Sequence, residues 1–396
     1  MTDLGHQPRP GHLDAPLYLD YNATTPVDPS VVTAMLPYLC EHFANPSSSH
    51  QLADRPKGAL RRAREHVADL IAARREEIVF TGSGSEADAL ALLGVTRAAL
   101  LAGRRRPHIV TQVTEHPAVL GACAALERLH PVDVTYLPVD HQGLIDPAAL
   151  EAALTSQTVL VSIMHANNET GVIQPIQDLA EITHRHQALL HTDAAQTAGK
   201  IPLDVTALGI DLLTVVGHKM YAPKGIGALY VRDGIRLESL IPGGGQEGGR
   251  RAGTENVALA VALGTAASLA GIELKSGQPQ RLALLRDRLH DGLAAQLPGR
   301  IHLNGDRDHR LPHTLNISID GIDSARLLQA APEIAASTGS ACHSGNTTPS
   351  PVLSAMGLPA HRTRSAVRLS LGRWSTIDDI DRAIAALIRA THQQDH

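Results

Sequence analysis

Asp211-Leu-Leu-Thr-Val-Val-Gly-His-Lys219 is an apolar run that closes on a glycine, a histidine and a lysine. Upstream, Leu189-Leu-His-Thr-Asp193 closes in the same way on an aspartate. Each run reads as a buried strand that delivers an ionisable side chain to its C-terminal end, where open α/β sheets hold their ligands. Working outward, helices are expected over 57–73, 86–101, 117–129, 147–154 and 175–187. Strands are expected over 77–81, 108–113, 134–139, 158–164, 188–192, 211–216 and 227–231. Strands that alternate with helices predict a mainly parallel sheet covered on both faces. Beyond the glycine-rich stretch 241–249 the pattern changes. A long apolar helix over 255–274 leads to helix 281–296, strand 313–319, helix 324–330, strand 366–371 and helix 377–391. The last helix opens on Thr376-Ile-Asp-Asp379, a capping-box pattern. The fold class is therefore α/β. A large domain is expected over 17–262 and a smaller α+β domain over 263–396, which takes in 1–16 and carries the loop around Cys342.

At 396 residues the chain can bury a large core and divide into two domains. Its net charge is −5 with both signs interspersed, so no basic patch points to nucleic acid. Three cysteines, Cys40, Cys123 and Cys342, are too widely spaced for a disulfide framework or a zinc site, and no metal is expected. A reducing cytoplasm is the natural setting. The N-terminal stretch is polar and carries no signal-peptide core. The apolar segment 87–101 is broken by Asp88, Gly94, Thr96 and Arg97 and is too short to span a bilayer, so no membrane partner is expected. With aromatic residues at 2% of the chain, the core must be built from Leu, Val, Ile and Ala.

A lysine that forms a Schiff base and an acid that pairs with a pyridinium nitrogen are the chemical needs of pyridoxal 5′-phosphate (PLP). Gly82-Ser-Gly-Ser85 joins a strand to a helix. There, free N–H groups and the helix dipole suit a phosphate, Gly84 permits close approach and Ser85 adds a hydroxyl. His116 follows strand 108–113 and can stack on a planar ring or relay a proton. Each of these residues alone is equally at home as a turn, a surface charge or a structural histidine. Their common place at strand C-termini is what unites them. Cys342 lies among small and polar residues in Ser337-Thr-Gly-Ser-Ala-Cys-His-Ser-Gly-Asn346, where a thiol is available as a nucleophile. Cys40 and Cys123 fall in helical patterns and read as small core residues.

In order along the chain stand Leu19-Asp-Tyr-Asn-Ala-Thr-Thr-Pro26, Asn45-Pro-Ser-Ser48, Thr114-Glu-His116, Asn167-Asn-Glu-Thr-Gly171 and His191-Thr-Asp-Ala-Ala-Gln196. They are followed by Gly217-His-Lys219, Arg251-Ala-Gly-Thr254, Gly339-Ser-Ala-Cys342 and Arg368-Leu-Ser-Leu-Gly-Arg373. This set resembles the class V aminotransferase-like group and, within it, the cysteine desulfurases and selenocysteine lyases. The resemblance covers nearly the whole chain. It implies a fold-type-I PLP enzyme working as a homodimer. It implies that Lys219 holds PLP, Asp193 the ring nitrogen and Gln196 the ring oxygen, with His116 over the ring assisting proton transfer. Gly84, Ser85 and His218 would contact the phosphate, with Thr254 arriving from the other subunit. Asn168 and Arg368 would bind the substrate carboxylate, near Asn22 and Ala23. The implied reaction takes L-cysteine to L-alanine and leaves a persulfide on Cys342 for a sulfur-acceptor protein. The alternatives are a lyase acting on L-selenocysteine, a PLP transaminase and a non-catalytic sulfur-transfer scaffold. Two departures stand out: Val216 replaces a phosphate-binding serine, and Ser85 replaces the usual threonine. The segments around Cys342, 214–218 and 243–247 look closer to the selenocysteine lyases.

Overall fold

The computed structural model describes residues 16–338 and 349–395. Its strands are β1 (Leu17–Tyr18), β2 (Ile78–Thr81), β3 (His108–Gln112), β4 (Asp133–Leu137), β5 (Thr158–Ser162) and β6 (Leu189–Asp193). They continue with β7 (Leu212–Val216), β8 (Gly227–Val231), β9 (Ile301–Leu303), β10 (Thr314–Ile319), β11 (Ile334–Ala335) and β12 (Ala366–Ser370). Seven of them form the main sheet, in the order β2-β8-β7-β6-β5-β3-β4. The run β7-β6-β5-β3-β4 is parallel throughout, and β8 is antiparallel to both of its neighbours. The expected α/β class with a mainly parallel sheet is what the chain forms.

Both faces of the sheet are covered, because successive residues of each central strand are apolar. Leu213 and Val215 of β7 join a core cluster with helices Asp54–Leu70 and Val257–Lys275, while Leu212 faces helices Gly84–Leu101 and Pro117–Leu129. The order 2-8-7-6-5-3-4 leaves the C-terminal ends of β3, β5, β6 and β7 side by side, and this rim carries the site.

The C-terminal part has its own core. Strands β12-β10-β9 form an antiparallel sheet covered by helices Gln278–Gln296 and Ile377–Gln394. The latter helix starts with the capping box expected from the sequence. Thr376 Oγ1 accepts from Asp379 N at 3.1 Å, and Asp379 Oδ2 accepts from Thr376 N at 2.9 Å.

The expected division at 262/263 needs correction. It falls inside helix Val257–Lys275, whose Ala266, Ala267 and Ala270 remain in the main-sheet core. A Cβ on Gly264 would stand 2.5 Å from Ala63 Cα, so small residues let this helix press directly on helix Asp54–Leu70. The change of unit comes after Lys275, where Gly277 takes φ 84 and starts the next helix. At the other end, Leu17 and Leu19 pack in the C-terminal core, and β1 pairs with β11. By length and composition helix Val257–Lys275 passes for a membrane span, yet half of its most apolar window is buried in the protein.

Candidate active site

Lys219 closes a short 3-10 turn, Gly217–Lys219, directly after β7. Its Nζ donates to the carbonyls of Asn22 at 2.6 Å and Ala23 at 2.8 Å. Burial, then the positive charge of Arg368, pushes its pKa down to about 8, against the opposing pull of Asp193 and Asp20. Asp193 is the last residue of β6 and is buried. Its Oδ1 accepts from Ala195 N at 2.8 Å. Burial raises its pKa, and that hydrogen bond and the charges of His116 and Lys219 oppose the rise. A carboxylate in this place is poised to take a nearby cation.

His116 follows β3 and caps helix Pro117–Leu129, with Nδ1 accepting from Ala118 N at 3.1 Å. In the neutral ring the proton therefore sits on Nε2. Desolvation lowers its pKa, helped by Lys219 and opposed by Asp193. His218 Nδ1 lies 3.1 Å from Thr24 Oγ1, and burial pushes its pKa down to about 4, so it is neutral near pH 7.

Asn22 is the hub that ties the expected residues together. Its carbonyl receives Lys219 and, at 3.1 Å, Gln196 Nε2. Its Nδ2 donates to the Asn168 carbonyl at 3.1 Å and to Thr314 Oγ1 at 3.0 Å. Arg368, on β12, donates through Nη1 to the same Asn168 carbonyl at 3.0 Å. Lys219, Gln196, Asn22, Ala23, Asn168 and Arg368 thus form one hydrogen-bonded group.

Gly84 begins helix Gly84–Leu101 behind Ser83, whose Oγ accepts from Glu86 N at 3.1 Å. A Cβ on Gly84 would stand 2.4 Å from Val216 Cγ2, so this helix start rests on the end of β7. Val216 fills that contact with methyl groups, where a serine would offer a hydroxyl. Ser85 is exposed on the first turn. The glycine-rich stretch is pinned to β2 by Glu247, which accepts from Phe80 N at 2.9 Å and from Arg64 at 2.6 and 2.8 Å. Thr254 is exposed, and among the described residues no hydrogen bond or ion pair ties it to Lys219. Cys342 lies outside the described residues.

Several residues of the site were not singled out from the sequence. Asp20 pairs with Arg368 at 2.7 Å. Asp88 and Glu115 are buried carboxyls whose pKa values burial raises well above the usual range, with Asp193 adding to both. Each leaves one oxygen, Asp88 Oδ1 and Glu115 Oε2, without a hydrogen-bond partner among the described residues. Glu169 accepts from Ser350 Oγ at 2.5 Å, and burial pushes its pKa up to about 7. Asp20 and Glu169 lie within the quoted motifs, and Glu115 lies between Thr114 and His116. Asp88 carried no signal beyond being a charge in an apolar segment.

A half-buried amine with lowered pKa, a buried acid at the neighbouring strand end, a ring-bearing residue on the same sheet rim and a helix start that admits close approach match the groups of PLP. Among the described residues no group of His, Cys, Asp and Glu suits a metal ion. Residues 17–383 match the aminotransferase class-V family model. A cysteine desulfurase of Nostoc sp. is 48% identical over 373 residues, covering 94% of this chain and 92% of that protein. This chain belongs to the cysteine desulfurase family of the class-V aminotransferases. Solved structures agree. A NifS-like protein superposes with a TM-score of 0.87 at 33% identity, covering 95% of this chain and 99% of that one. SspA in complex with cysteine gives a TM-score of 0.80 at 37% identity, covering 91% and 99%.

Proposed function

We propose that the chain is a cysteine desulfurase that holds PLP on Lys219 and moves the sulfur of L-cysteine to Cys342. The observation that carries this reading is Lys219, a half-buried amine held on the carbonyls of Asn22 and Ala23 at a strand end next to that of the buried acid Asp193. When bound, the cofactor supplies an electron sink for the substrate's Cα. The chain's own residues do the remaining work. Asp193, as a carboxylate, holds positive charge on the ring nitrogen. Lys219 Nζ takes and returns the Cα proton, because burial leaves a sizeable neutral fraction near pH 8. His116 has Nδ1 committed to a backbone N–H and offers Nε2 as a second proton carrier. Gln196 orients the ring oxygen, and Gly84, Ser85 and His218 hold the phosphate. Arg368 and Asn168 hold the substrate carboxylate.

The Cys342 thiolate attacks the substrate sulfur. An S–S bond forms, the Cβ–Sγ bond breaks and its electron pair stays with the carbon fragment, which is protonated. L-cysteine plus a thiol becomes L-alanine plus a persulfide, with no outside oxidant or reductant. A sulfur-acceptor protein then takes the terminal sulfur.

The reading includes a homodimer in which Thr254 reaches the phosphate of a second copy. Exposed Val32, Leu36, Leu39, Phe43 and Leu52, 44–77% accessible in the single chain, form an apolar stretch of the kind that partners cover. The free thiols of Cys40 and Cys123 suit the reducing cytoplasm to which we assign the protein.

The test is product accounting with L-cysteine. The wild type should yield L-alanine and one added sulfur on the Cys342 peptide by mass spectrometry. C342S should keep PLP and lose alanine formation by more than about 100-fold, since a hydroxyl is a far poorer nucleophile than a thiolate. Full turnover by C342S, or the added sulfur on Cys123, would reopen the transaminase reading.

A further inference from the structure

Arg368 is engaged before any substrate arrives. Its Nη2 donates to Asp20 Oδ1 at 2.7 Å, its Nη1 donates to the Asn168 carbonyl at 3.0 Å, and its Nε is buried without a hydrogen-bond partner among the described residues. Asp20 is fixed beside it by a backbone bridge to Ser370, two residues along β12. The arginine side chain is 7% exposed and the aspartate 22%, so the pair sits at the mouth of the group that joins Lys219, Asn22 and Asn168.

A guanidinium grips a carboxylate best through two parallel N–H groups. Here each terminal nitrogen already gives one of its two N–H groups, one of them to a carboxylate. A second carboxylate therefore shares the guanidinium with Asp20, and it meets a like charge as it approaches. Without Asp20 the empty site would instead hold a poorly compensated buried cation, which is costly.

We propose that Asp20 is a positioning residue for substrate binding that takes an N–H group of Arg368, balancing the arginine when the site is empty and weakening its hold on an α-amino monocarboxylate substrate. This rests on Arg368 being the carboxylate anchor of the proposed function. It has a second consequence. Lys219 feels Arg368, Asp193 and Asp20, and it also acts on His116, His218 and Lys200. Within that set Asp20 favours the charged amine, so its loss should move the titration of Lys219 to lower pH.

The experiment compares wild type, D20N, D20E and R368A. Asparagine keeps an oxygen for Nη2 but removes the charge, and glutamate keeps the charge. For D20N, the KM for L-cysteine and the Kd of L-alanine for the PLP-loaded enzyme should fall by about three- to tenfold. D20E should stay close to wild type. In the PLP-free protein, the pH midpoint of Lys219 labelling by an amine-reactive reagent should fall in D20N and hold in D20E. D20N with KM and Kd unchanged or raised overturns the proposal. If D20N does not fold, D20S is read in its place. Failure of both while D20E folds assigns Asp20 to the fold alone and also overturns it. R368A separates the two readings. If it binds L-alanine as wild type does, the carboxylate anchor is wrong. If it weakens binding while D20N changes nothing, only the role of Asp20 is wrong.

Discussion

The floor of the site and its substrate wall are built in opposite ways. The floor is made of strand ends in one sheet, with Asp193, Lys219 and His116 each closing or following a strand. Beneath it lie Asp88 and Glu115, so three buried carboxyls crowd one place and burial raises the pKa of each. The wall is assembled from distant chain. Asn22 bonds Thr314 across 292 positions, and Asp20 pairs with Arg368 across 348. Burial shifts the charge states of the floor, whereas the wall is held by an ion pair and hydrogen bonds between distant segments. The floor should therefore govern chemistry and the wall binding.

The largest effect should come from the floor. D193N keeps the shape and an acceptor for Ala195 N but cannot be an anion, so kcat should fall by about 100- to 1,000-fold while KM for L-cysteine changes little. A D193N enzyme that retains kcat and loses only substrate affinity would break the division. On the wall, R368A should raise KM by about 10- to 100-fold through loss of charge-assisted hydrogen bonds, with kcat moving less. Steady-state kinetics on the two variants reads both effects. The smallest change should come from V216S at the contact between β7 and Gly84. A hydroxyl placed there should tighten PLP by about two- to tenfold, measured as Kd by cofactor titration. No tightening would mean that the phosphate does not reach this helix start.

The same division explains what could be read from sequence. Asp193 and Lys219 were legible because an apolar strand that ends in a charge marks a sheet rim. Helix Pro117–Leu129 appears over the residues expected, with His116 at its cap. The wall was not legible in its connections. The motif from Leu19 contains both Asp20 and Asn22, yet nothing local shows that one meets Arg368 or that the other's carbonyl receives Lys219. Asp88 reads as an interruption of an apolar segment, which argues for exposure, and the structure instead buries it against the floor. The boundary at 262/263 went astray because helix Val257–Lys275 is apolar all round. Its periodicity shows no preferred face, and the packing of Ala266, Ala267 and Ala270 together with the close contact of Gly264 on Ala63 reveals which core it serves.

The central claim is that the amine at the end of β7 is where the cofactor is held. It is tested most directly by loading the protein with PLP, reducing it with borohydride and mapping the modified peptide by mass spectrometry. The label should fall on Lys219, and K219A should carry none. A label on Lys224 or on the buried Lys200, or undiminished labelling of K219A, would contradict the account.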